Sequence, residues 1–227
     1  MFKKSKPAPQ SDLFISDLLF ADESLEKVAA YAKKSNDALP WLHFAIAEQM
    51  LKQGKKSKAI DELKRILEIR DLETRIYLQT WYCLRILGEF PSKEVSTQIQ
   101  GIVVEVTLDR GLDILAAYAA HSARYFNFSG ASIIWNAPDS EIENLIDDLL
   151  VAGQKIVDQI GVWEKPRLPA PPKDFIRINF LTYGGLYFGQ GKFELLAKDP
   201  LGGLVVNGGL NLMKLLIKRK STFTDKK

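Results

Sequence analysis

The chain has 227 residues, 46% of them hydrophobic and 26% charged, enough for a buried core and unlike a fibrous or low-complexity composition. Its net charge of +3 sits at the ends: Lys3, Lys4 and Lys6 at one, and Lys218, Arg219, Lys220, Lys226 and Lys227 against Asp225 at the other, which leaves residues 7–217 at −4. A mildly acidic body offers no basic stripe for a phosphate backbone, so no nucleic-acid partner is expected.

Cys83 is the only cysteine, so no intramolecular disulfide forms; within a helical run it reads as a small buried hydrophobe. The basic start MFKKSKPAPQ leads into a run broken by Asp12 and Asp17, which is no signal-peptide core. The longest uncharged stretch, 200–213, falls short of the roughly 20 residues a membrane span needs. A cytoplasmic protein without a membrane span is expected.

In chain order, residues 1–10 read as a disordered basic tail, 11–101 as a helical module, 102–218 as an α+β domain and 219–227 as a second disordered basic tail. Asp22 opens a helix over 22–35, with Leu25, Val28, Ala29 and Ala32 on one stripe. A second helix covers 40–53, with Pro40 in its first turn and Gly54 ending it. Helices follow over 57–69 and 72–87, then a return helix over 92–101.

Gly54 and Gly88 lie 34 residues apart, the length of one helix–turn–helix unit in a tetratricopeptide array. Ala47 and Met50 stand seven and four residues before Gly54, and Ala59 and Leu63 five and nine after it. On these residues the stretch 38–101 resembles the tetratricopeptide repeat family. In the second unit Trp81 and Lys93 replace the small residues, and a two-residue insertion around Phe90 and Pro91 restores the register at Val95 and Ile99. The resemblance implies paired antiparallel helices that dock a protein or peptide partner, with Trp41, Phe44, Arg75, Gln79 and Tyr82 as partner-binding candidates. Some family members hold a peptide's terminal carboxylate; here only Arg75 and Gln79 would assist and Glu48 would oppose, so that mode is not expected.

From Ile102 the hydrophobic period shortens to two. Strands over 102–108, 112–118, 123–128 and 131–135, joined by short turns, predict an antiparallel meander. A helix over 139–160 follows, with a capping box of Ser140 and Glu143. Residues 163–173 hold four prolines and read as a semi-rigid spacer. A strand over 174–182 then turns at 183–185 into a short strand 186–188, followed by a short helix over 192–197. The closing helix runs from Asp199-Pro200 to about Lys218 with Val206, Leu210, Met213 and Ile217 on its apolar side; its glycine pairs imply a close backbone approach, to the sheet. The expected class is α+β: an N-terminal helical-hairpin module followed by an antiparallel meander sheet packed with two helices. The segments ARYFNFSG, IIW and LYFGQG are similar to uncharacterised bacterial proteins that carry no assigned activity.

Catalytic patterns are few. Gly189 and Gly191 lack a third glycine, since Glu194 stands there, and Gly203 with Gly208 lacks the lysine and hydroxyl of a phosphate loop. Two scattered histidines and one cysteine predict no metal site, and no cofactor is expected. The ligand-binding candidates are His121, Arg124, Tyr125, Asn127, Arg177 and Asn179, either the solvated outer face of the sheet or a site for a peptide or small anion. Two functions follow: a non-enzymatic interaction or adaptor protein docking its partner on the helices, or a small-molecule-binding or catalytic α+β domain with a site near His121, Arg124 and Tyr125.

Overall fold

A computed structural model describes residues 19–32 and 39–224. The expected tail 1–10 and the end of the helix predicted over 22–35 lie outside the described residues. Among the described residues the sheet is preceded by the helices α1 (Leu25–Ala32), α2 (Trp41–Lys52), α3 (Lys56–Glu68) and α4 (Thr74–Ile86). Each buries one stripe against the others, so Val28, Phe44, Ala47, Ala59, Leu63, Ile66, Cys83 and Leu84 make a core of their own. Burial pushes the Cys83 thiol up to about 11, so it stays a neutral apolar group. Asp22 does not open α1: Ser24 does, accepting from Lys27 N at 3.4 Å, and Asp22 is engaged elsewhere.

The return helix predicted over 92–101 shrinks to α5 (Lys93–Ser96), because the residues from Ile99 onward belong to β1 (Ile99–Leu108). Ile99 pairs with Thr182, and Ile102, Val103, Val104 and Val106 continue as a β-branched strand buried on both faces. β1 is followed by β2 (Gly111–Tyr118), β3 (Ser122–Phe126) and β4 (Ser132–Trp135), and β5 (Phe175–Thr182) with β6 (Gly185–Lys192) completes a six-stranded antiparallel sheet in the order β4-β3-β2-β1-β5-β6. The fold class is α+β. β6 has eight residues where three were expected; its glycines hid the alternation.

Between the two parts of the sheet runs α6 (Ser140–Val157). Its cap is Asp139, one residue before the predicted box, accepting from Glu141 N and Ile142 N. After the short α7 (Phe193–Leu196), α8 (Gly202–Thr224) closes the chain. Residues 219–224, expected as tail, are helical, and Arg219 ties α8 to Asp139 and Glu141 at 2.7 and 2.8 Å. The apolar side of α8 is rotated from the predicted one: Val205, Leu212 and Leu216 are fully buried while Ile217 is 46% exposed. Gly209 faces the sheet, where an added Cβ would lie 3.5 Å from Leu115, and Gly208 faces α6.

The sheet is covered on both faces. α6 and α8 pack on one, over Ile102, Leu115, Ile178 and Phe180. Leu78 of α4 and the segment around Leu19, Phe20 and Ala21 pack on the other, over Val103, Ala116, Tyr118 and Leu181. The helical module is therefore a third layer against the sheet's second face.

Candidate functional site

Residues 19–24 run between the helical layer and the sheet, and a cleft opens beside them. Ala21 has φ +52°, a left-handed backbone that costs a non-glycine residue of order 1 kcal/mol and persists only where neighbours enforce it. The enforcing contacts are specific. Tyr118 Oη donates to Leu19 O at 2.7 Å from the sheet. Gln79 of α4 grips the backbone of Glu23 from both sides, accepting from its N–H at 3.1 Å and donating to its carbonyl at 2.8 Å. Asp22 pairs with Arg167, whose guanidinium lies 4.1 Å from the centre of the Phe20 ring.

Arg167 belongs to the proline-rich connection, which crosses the sheet's second face as a strap. Trp163 N donates to Leu186 O at 2.7 Å, and its ring meets Phe188 edge-on at 5.1 Å. Arg177 reaches up from β5 to the carbonyls of Leu168 and Pro169 at 3.2 and 2.8 Å. The strap, residues 20–24, the far end of α4 and the β5–β6 turn enclose a cleft of about 720 Å³. At that volume it falls in the range of ligand pockets. Phe90 is 70% exposed and Val162 39%, both on the cleft wall.

A second pocket of about 240 Å³ lies on the other side of residues 20–24, among α1, α2 and α4. Ala21 and Glu23 line both cavities. Four of the five partner-binding candidates meet in the smaller one: Trp41, Phe44, Arg75 and Gln79. Tyr82 lines the larger cleft. Phe44 is fully buried, while Trp41, Tyr77 and Trp81 are half-buried. Gln79 is committed to Glu23, and Arg75 to Glu73 at 2.6 Å.

The six ligand-binding candidates are not brought to one cavity. His121 (φ +54°) projects toward α6, with Nε2 2.9 Å from Asp147, an acid that its sequence neighbourhood does not reveal. Tyr125 lies on the α6–α8 face and donates to Asp113 at 2.8 Å; burial, then that bond, pushes its phenol up to about 12. Arg124 points the opposite way and pairs with Glu73, just ahead of α4, at 2.9 Å, while also donating to the carbonyls of Ala123 and Trp135. Asn127 closes the β3–β4 turn, accepting from Ser129 and Ala131.

Arg177 and Asn179 do share a face, but a covered one: both are under 4% exposed, where a solvated outer face was expected. Glu105 of β1 lies across from Arg177 in register and takes bonds from Asn179 at 3.0 Å and Arg177 at 3.4 Å. Burial drives the Glu105 carboxyl above its ordinary value, with Asn179 and Arg177 opposing. Gln190 of β6 also accepts from Arg177, at 2.6 Å, so these groups join three strands to the strap and leave no open site.

Comparison with family models, curated proteins and solved structures finds no match. The site must therefore be interpreted from its chemistry alone. Among the described residues no three or more His, Cys, Asp or Glu converge on a point that could hold a metal ion, and no helix is long and apolar enough to cross a membrane. The cleft was not legible as a site beforehand. Its walls come from four stretches scattered between Phe20 and Leu186, and only Tyr82 among them was a candidate.

Proposed function

We propose that the chain is a non-enzymatic interaction protein that receives a segment of a protein partner in the cleft between its helical layer and its sheet. The supporting observation is the cleft itself: about 720 Å³, open to solvent, with Phe90 and Val162 exposed on its wall. Large apolar side chains left in water beside a concavity are the usual mark of a partner site. The cleft is built from the end of α4, the helix that carries Arg75, Gln79 and Tyr82, so the helical module and the sheet contribute jointly. The candidates His121, Arg124 and Tyr125 do not meet in one cavity and carry no comparable case for the catalytic reading.

A photocrosslinking phenylalanine analogue placed at Phe90 tests this. Leu204, 52% exposed on α8 in the opposite layer, serves as the control position. In extract of the source cell, position 90 should yield a discrete crosslinked partner that position 204 does not. Identical products at both positions, or none at position 90, would refute the reading.

A further inference from the structure

Both inner carboxylates of the cleft have a cation, whereas one of its half-buried cations has no carboxylate. Asp22 is held by Arg167 at 2.9 Å and Glu23 by Lys27 at 3.0 Å, so each inner carboxylate has a cation. Glu164 and Lys165 sit side by side on the exposed strap, with Lys165 Nζ 5.6 Å from the Trp163 ring centre. Arg85, in the last turn of α4, also lines the cleft, and among the described residues no carboxylate pairs with it. Its Nη1 donates to the carbonyl of Tyr183, and its guanidinium lies 5.9 Å from the Tyr82 ring centre. Burial lowers its affinity for the proton, and no carboxylate figures among the groups acting on it.

A half-buried guanidinium without a counter-ion is costly, and its planar fork of donors is suited to a carboxylate. Its surroundings are aromatic and aliphatic: Phe20, Tyr82, Phe90 and Leu186 line the same cleft. We infer that the cleft takes an acidic peptide segment, in which one carboxylate seats on Arg85 and a neighbouring apolar side chain packs against Tyr82 and Phe90. This inference rests on the cleft being the partner site and names the chemistry of the partner. Charge complementarity is its basis: four cations and three carboxylates line the cleft, and among the described residues the half-buried Arg85 has no carboxylate. An Asp or Glu carboxylate bound there gains charge-assisted hydrogen bonds in a partly desolvated setting, where such bonds are strongest.

Selection of a random heptapeptide display library on the full chain provides the test, repeated on Arg85→Gln, Arg85→Lys and Phe90→Asp after circular dichroism and melting confirm that each is folded. Peptides with an Asp or Glu next to an aromatic or aliphatic residue should be enriched on the wild type. Their affinity should fall at least tenfold in Arg85→Gln, recover in part in Arg85→Lys, and be lost when the acid is replaced by its amide. Phenylacetate, added as a free small acid, should compete only at far higher concentration than the peptide. Enriched peptides that carry no acid, or that bind Arg85→Gln unchanged, would overturn the inference while a dependence on Phe90 kept the cleft reading alive. Binders indifferent to both Arg85 and Phe90 would overturn the two together, and equal competition by phenylacetate would replace the peptide by a small-molecule acid.

Discussion

Gln79→Ala puts the clamp on residues 19–24 to a quantitative test. The amide serves both backbone groups of Glu23, a residue only 5% exposed, so its removal strands a buried N–H and a buried carbonyl at once. Each stranded group costs about 1–3 kcal/mol when water cannot replace the partner. The two together give about 3 kcal/mol, a large share of the roughly 5–15 kcal/mol that holds a typical domain folded. Urea unfolding should show that loss as a lower midpoint, and native-state hydrogen exchange should show the Glu23 amide opening locally well before the rest. Gln79→Glu should recover little, since a carboxylate accepts from Glu23 N–H but repels its carbonyl. Gln159→Ala, which loses an exposed bond to Lys155 O, serves as the control and should stay within about 0.5 kcal/mol of wild type. A loss under about 1 kcal/mol for Gln79→Ala, with the Glu23 amide still protected, would refute the reasoning.

Two further substitutions probe the layers around the cleft. Gly153→Ala on α6 gains about 1 kcal/mol of helix propensity but sets a Cβ 2.8 Å from Ile102 and 3.0 Å from both Ile99 and Phe180. Overpacking of that kind costs about 1–3 kcal/mol, so a net loss of about 1 kcal/mol is expected in urea unfolding, against no change for Gly161→Ala, where nothing lies within 4 Å. For Glu105→Gln the readout is pH. A carboxyl raised above 4.5 in the folded chain stabilises fully below pH 4.5 and loses that contribution as the pH climbs through the folded value. The stability gap between wild type and Glu105→Gln should therefore move in the variant's favour as the pH rises from 4.5 through the raised value and be level beyond it. A gap that is level throughout would show that Glu105 does not titrate abnormally.

Much of the fold is visible in local pattern. The stripes of α1 to α4 and the alternation of β1, β2 and β5 are set by the period of their apolar residues, which any short window contains. What covers a polar residue is not local. Arg124 and Arg177 look like outward positions because they alternate with Ala123, Tyr125, Ile176 and Ile178, yet their partners Glu73 and Glu105 stand 51 and 72 residues away. The same limit applies to Gln79, which fits a binding position on a helix face until Glu23, 56 residues earlier, is placed beneath it. Ile99 shows the competition at a boundary: spacing allows it as the end of a helix, but pairing with Thr182 makes it the start of a strand. Arg85 carries no sequence signal at all, since what marks it is the company it lacks.

The place of β1 has a consequence for how the polypeptide matures. It borders β2 on one flank and β5 on the other, where Val103 meets Asn179 across a gap of 76 residues. A nascent chain that has released the meander but not residues 175–182 therefore displays a ten-residue, β-branched margin with nothing to zip onto it. Such a margin is a ready template for neighbouring chains, and closure across so long a loop is slow. Ribosome-bound intermediates halted between the fourth and fifth strands are thus the stage at which this unpaired edge is open to other chains.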